Sequence, residues 1–173
     1  MEVESAGLWA FFASSIRRME IPGLGPVVED VAFEGYRSKA VPVAVLDGVA
    51  CEFLVQGYEE PEDREDFHAA IDRFLALGPS VLTDARQAIY AYYLKVRTEL
   101  GGELQVEIDG PDDVLAYVAL GNEPEVFRND DGDGRIYVSL ECECDWEPEH
   151  GLQLVFRDGA ALTRVGPYDG EVD

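Results

Sequence analysis

The chain is short of positive charge. Across 173 residues, thirteen Lys and Arg stand against thirty-six Asp and Glu, a formal net charge of -23 at pH 7. A field of that sign repels phosphate backbones and anionic bilayers, which argues against nucleic-acid and membrane partners. It attracts basic proteins and divalent cations. Cysteine is scarce as well, with only Cys51, Cys142 and Cys144. An odd count that includes an i, i+2 pair makes no secreted disulfide framework and points to a reducing, cytoplasmic compartment. The apolar stretch from Leu8 to Ile16 is too short to cross a bilayer. It follows Glu2 and Glu4 rather than Lys or Arg, so it is a poor signal peptide. Histidine is limited to His68 and His150. Neither a Gly-x-Ser-x-Gly elbow nor a Gly-x-x-x-x-Gly-Lys phosphate loop occurs. Gly23-Leu24-Gly25 lies between prolines with no helix after it, so it reads as a turn.

Apolar residues make up 47% of the chain and aromatics 10%, enough for one hydrophobic core in a chain of single-domain length. The negative charge is uneven. Residues 101–173 carry 19 acidic and 4 basic side chains, a balance of -15, whereas residues 1–100 carry 17 and 9, a balance of -8. Solubility alone is a sufficient reason for such an excess, so charge has to be weighed together with its placement.

Residues 1–18 read as an N-terminal arm or short helix, and 19–173 as a single α+β domain. Strand signals occupy 19–33, broken by the Ile21–Pro26 turn, and then Val41–Leu46 and Val49–Tyr58 around the hairpin dipeptide Asp47-Gly48. Two helices follow. The first begins in the acidic run Glu59–Asp66 and buries Phe67, Ala70, Ile71, Phe74 and Leu75, ending at Gly78-Pro79. The second takes Ser80 as its N-cap and Leu82, Ala85, Ile89, Tyr93, Val96 and Leu100 as its apolar stripe. Beyond Gly101-Gly102, the alternation of Leu104, Val106 and Ile108 predicts a strand, and Pro111 opens a short helix reaching Ala119. The clearest pattern comes next. Ile136, Val138, Leu140, Cys142, Cys144 and Trp146 alternate with Tyr137, Ser139, Glu141, Glu143 and Asp145, giving a buried face and a wet acidic one. Leu152, Leu154 and Phe156 repeat the rhythm before Asp158-Gly159 turns into 161–165.

Three motifs invite chemistry. Asn129, Asp131 and Asp133 fit the first ligand positions of a calcium loop, but the twelfth position holds Leu140 instead of a bidentate Glu. The same Asp-Gly repeats suit a hairpin turn. Cys142, Cys144, Asp145, Glu147, Glu149 and His150 gather potential metal ligands. Yet the two thiols share a strand's apolar face at a spacing that zinc sites seldom use, so no metal or cofactor is expected. Tyr90, Tyr92 and Tyr93 on one helix fit packing against a sheet better than ligand stacking.

Phe74-Leu75 ahead of Ile89-Tyr90 and Tyr92-Tyr93, together with the run from Glu143 to Leu152 and Phe156-Arg157-Asp158-Gly159, resembles a family of uncharacterised bacterial domains of unknown function. Its marks are a C-terminal C-x-W-E-x-E-H-G-L signature, here Cys144 to Leu152, and an "FL … IYxYY" block. The resemblance runs from about Met19 to Gly170 and rests chiefly on the C-terminal motif. Relatives of this kind occur beside toxin-immunity systems. The resemblance therefore implies binding rather than chemistry, and it carries over no catalytic residue. Within the signature, Trp146, Glu147, Glu149 and His150 form a turn whose first reading is structural.

The expectation is an α+β fold, a mostly antiparallel sheet with the two central helices packed on one face. Its function would be a non-catalytic acidic module engaging a basic protein partner, as an immunity protein would. Glu141, Glu143 and Asp145, with Asp130, Asp131 and Asp133, would make the contacts by steering and rim ion pairs. The competing expectation is a metal-dependent or acid-base hydrolase built on Glu147, Glu149 and His150. Oligomeric state is not legible in these patterns.

Overall fold

The computed structural model describes residues 16–172. Most of the arm expected over 1–18 lies outside them, and Arg18 already opens the first strand. Eleven strands and two α-helices make an α+β fold: β1 Arg18–Ile21, β2 Gly25–Asp30, β3 Gly35–Ser38, β4 Val41–Val43, β5 Val49–Cys51, β6 Leu54–Gln56, α1 Arg64–Leu75, α2 Ser80–Glu99, β7 Val118–Ala119, β8 Glu125–Arg128, β9 Ile136–Cys144, β10 Leu152–Arg157 and β11 Ala161–Gly166. The main sheet runs β1-β2-β3-β6-β8-β9-β10-β11, with β7 extending the β8 side of β9. Every pair in it is antiparallel except β6 with β8. That exception follows from the chain path: both helices lie in the connection from β6 to β8, and parallel neighbours require a long crossover.

Both helices cover one face of the sheet. Phe67, Ala70, Ile71 and Phe74 of α1, and Leu82, Ala85, Ile89, Tyr93 and Val96 of α2, are buried against Ile136, Val138, Leu140, Leu152, Leu154 and Phe156. Phe74 meets Phe53 and Phe156 edge-on, with centroids 6.0 and 5.3 Å away. Burial of this apolar surface, at about 25 cal/mol per Å², is the main source of stability.

Local departures from expectation have physical causes. The Asp47-Gly48 hairpin exists, with both residues at positive φ, but a 3₁₀ turn over Ala44–Leu46 shortens its first arm, and its second arm breaks after Cys51 so that Leu54–Gln56 joins the main sheet. Ser80 is the first residue of α2 rather than its cap; Pro79 takes that position, with no side-chain cap. Leu100 falls past the end of the helix and is exposed. Among the described residues, the stretch 104–108 pairs with no strand. Its alternation reflects a segment lying on α2, where Tyr93 accepts the Ile108 N–H at 3.2 Å and donates to the Val106 carbonyl at 3.4 Å. A helix hydroxyl thus replaces a neighbouring strand. The helix expected after Pro111 is a 3₁₀ turn over Val114–Tyr117.

Candidate binding face

Strand β9 alternates as its sequence suggests only over its C-terminal half. There Cys142 and Cys144 point into the core and are buried, while Glu141, Glu143 and Asp145 are exposed. Burial pushes the Cys142 thiol up to about 12 and the Cys144 thiol up to about 11, so both behave as small apolar groups. Over the N-terminal half the outward residues Tyr137 and Ser139 are buried as well, against the expectation of a wet face. The C-terminal tail covers them. Val172 packs on Tyr137 and Val155 in a second, small core on the sheet's outer face, joined by Phe127. The tail divides that face into a covered apolar part and an open acidic part.

Arg164 fixes the tail. Its guanidinium donates to Gln153 Oε1 at 2.5 Å, to the carbonyls of Pro167 and Glu171 at 3.3 and 3.0 Å, and to Asp169 at 2.8 Å. Gln153 in turn donates to Ser139 Oγ at 2.9 Å. At the boundary, Tyr168 donates its hydroxyl to Glu125 at 3.2 Å and its backbone N–H to the His150 carbonyl at 2.9 Å.

The open part is a groove. Glu123, Glu125, Glu141 and Glu143 line a cavity of about 430 Å³. It adjoins a second of about 780 Å³, lined by Asp145, Glu147, Glu149 and His150, with Ala119, Glu141, Cys142 and Glu143 common to both. Glu125 stands opposite Ser139 in the ladder, which sets its carboxyl beside the β9 acids. Burial pushes that carboxyl above its ordinary value; the Tyr168 hydroxyl opposes the shift and Glu141 adds to it. Among the described residues, Glu141, Glu143, Asp145 and Glu149 make no ion pair, whereas Glu123 reaches Arg37 at 3.6 Å. Carboxylates this close repel one another, and a cation placed between them would relieve that repulsion.

The signature turn closes one end of the groove. Glu147 Oε1 accepts the backbone N–H groups of Glu149 and His150 at 3.2 and 3.3 Å and lies 3.5 Å from His150 Nδ1. Ligand-type atoms of Glu147, Glu149 and His150 all fall within 4.8 Å of one another. Gly151 has φ 59°, and a Cβ there would stand 2.5 Å from the Cys142 carbonyl oxygen. Helix α2 holds the turn from inside: Tyr92 and Tyr93 meet Trp146 edge-on at 6.1 and 5.9 Å, and the Tyr92 hydroxyl donates to the Gly151 carbonyl at 3.0 Å. The tyrosine block and the C-terminal signature, 51 or more residues apart by their numbers, form one packing seam. A family model, described as a domain of unknown function, matches residues 24–172.

The chain belongs to the DUF6985 family.

No curated protein and no solved structure matches it. The DUF6985 span takes in the groove, the seam and the tail, and leaves out only β1 among the strands. Asp130, Asp131 and Asp133 do not join the groove. They sit in the β8–β9 turn, at the far end of nine-residue β9, separated from Glu143 by more than about 20 Å of strand. Asp133 is turned into its own loop, accepting the Arg135 N–H at 3.1 Å and the Tyr137 hydroxyl at 3.0 Å. Glu123, Glu125 and Tyr168 carry no motif in the sequence. The pair flanking Pro124 is a weak signal, and only the β8–β9 register brings it to Glu141.

Proposed function

We propose that this DUF6985 domain is a non-catalytic acidic interaction module, whose groove receives basic side chains of a protein partner. One observation carries the reading: Glu141 and Glu143 stand exposed beside half-buried Glu125 and, among the described residues, form no ion pair, Arg37 being engaged with Glu123 at 3.6 Å. A Lys or Arg entering there would be met by several carboxylates and partly withdrawn from water, where charge-assisted hydrogen bonds are strongest. In the setting of toxin-immunity systems, the partner would be a basic toxin and the groove would cover its cationic surface. Pull-down from the source organism at low and high salt tests this, using two charge-matched variants. Glu141→Gln/Glu143→Gln should lose a salt-sensitive basic partner, whereas Asp130→Asn/Asp131→Asn should keep it. Equal capture by both would reduce the groove to bulk charge and defeat the reading.

A second reading, a metal-dependent or acid-base hydrolase, draws on the convergence of Glu147, Glu149 and His150 within 4.8 Å. The commitment of Glu147 Oε1 to two backbone N–H groups weighs against it. A zinc-dependent rise in melting temperature that disappears in His150→Ala would favour it.

A further inference from the structure

The outer face of the sheet is covered at one side only. A row of cross-strand neighbours crosses it from Val28 through Arg37, Leu54, Glu125 and Ser139 to Val155. The C-terminal tail packs on the Val155 end, and the acidic groove opens at Glu125. The Val28 end stands exposed.

That end is apolar. Ile16, Val28, Val31 and Phe33 are 61, 42, 68 and 52% exposed, four of the seven large apolar side chains that are exposed among the described residues. The ladder brings them together. The Glu29 N–H donates to the Arg17 carbonyl at 2.9 Å, so the β1–β2 register continues past Arg18. Side-chain alternation then sets Ile16 on the same face as Val28. Phe33 lies in the β2–β3 turn, its ring centroid 5.5 Å from the guanidinium carbon of Arg37, the ladder partner of Val28. Gln56 donates to the Phe33 carbonyl at 2.9 Å, and Arg37 pairs with Asp30 at 2.9 Å. The patch is therefore a fixed part of the sheet, and exposed apolar neighbours of this kind mark a docking surface.

We propose that the segment Leu8–Phe12 of this same chain docks on the patch. Connectivity selects it. The described chain begins on the patch itself, at Ile16. Phe12 precedes Ile16 by four residues, a reach of at most about 14 Å, and Val28 is one strand spacing of about 5 Å from β1. The segment supplies Leu8, Trp9, Phe11 and Phe12, and its tether holds it at an effective concentration that a separate partner has to exceed. A second copy is disfavoured, because each chain carries a net charge of -23 and four side chains fall well short of the roughly 800 Å² per partner of a stable interface. Val172 gives the precedent at the other terminus, covering Tyr137 and Val155. The two ends of the chain then flank the acidic groove, with the Arg37–Glu123 pair at 3.6 Å on the border between patch and groove.

Tryptophan fluorescence of the full chain tests this. Trp9 and Trp146 are its two tryptophans, and Trp146 is buried in the core, so the difference between wild type and Trp9→Phe isolates Trp9. Its emission should be blue-shifted, and its quenching by acrylamide several-fold slower, in the native protein than in urea. Val28→Ser/Phe33→Ser, compared with the same variant carrying Trp9→Phe, should bring both to the values found in urea. Leu94→Ser, an exposed apolar site on α2, should change neither. Amide NMR of the full chain gives a second reading: Trp9→Ser should shift resonances of residues 16–37 and spare 141–151. Native Trp9 as accessible as in urea would leave the patch to a separate partner and overturn the inference. Protection that persists in Val28→Ser/Phe33→Ser would overturn it too, and so would protection that fades on dilution, which would assign the patch to a second copy.

Discussion

Replacing Arg164 with Met should cost far more than the loss of one surface charge. The side chain is 13% exposed and makes four contacts, to Gln153, Pro167, Asp169 and Glu171. Met preserves much of the volume and removes every donor. Gln153, itself buried, would be left with an unsatisfied amide oxygen, a penalty of about 1–3 kcal/mol. Release of the tail would also withdraw Val172 from Tyr137 and Val155, adding roughly 1 kcal/mol of lost apolar burial. The sum, roughly 2–4 kcal/mol, is readable as a lower urea midpoint at unchanged slope. Arg164→Lys should recover only a minor part, since one ammonium cannot serve the fork of acceptors. A variant with Met whose midpoint lies within about 0.5 kcal/mol of wild type would refute the claim that this side chain anchors the tail.

Other outcomes follow from the same contacts. Gly159→Ala and Gly48→Ala both place a side chain at positive φ, but only the first drives a Cβ into a backbone carbonyl; thermal melts should show Gly159→Ala losing more than about 2 kcal/mol and Gly48→Ala about 1. Cys142 and Cys144 should resist a chromogenic disulfide reagent in the native state and react on unfolding. Their thiols are raised from an ordinary value of 9.0 by burial. The unfolded chain therefore ionises first as pH rises, and stability should fall between about pH 9 and 12. Cys142→Ala should flatten that decline in urea melts taken across the range.

Much of the fold is local in origin, and that part was readable in the sequence. The α1 and α2 stripes and the inward run from Ile136 to Trp146 repeat at the period of their own element, so neighbouring residues carry the signal. What could not be read depends on distant chain. Tyr137 and Ser139 look like wet-face residues until Val172 and Arg164, more than twenty positions later, close over them. Residues 104–108 alternate as a strand would, yet their backbone groups are taken by Tyr93. The sequence marks Glu141 and Glu143 as a row along β9 with Asp145 just past its end, but only the ladder adds Glu123 and Glu125 and moves Asp130, Asp131 and Asp133 to the opposite end.

The acidic groove is tested most directly by amide NMR of the labelled domain titrated with hexalysine. The account predicts saturable shifts confined to residues 119–125 and 141–151, lost in Glu141→Gln/Glu143→Gln and retained in Asp130→Asn/Asp131→Asn. Shifts of similar size around residues 129–134, or an unchanged pattern in the Glu141→Gln/Glu143→Gln protein, would contradict it.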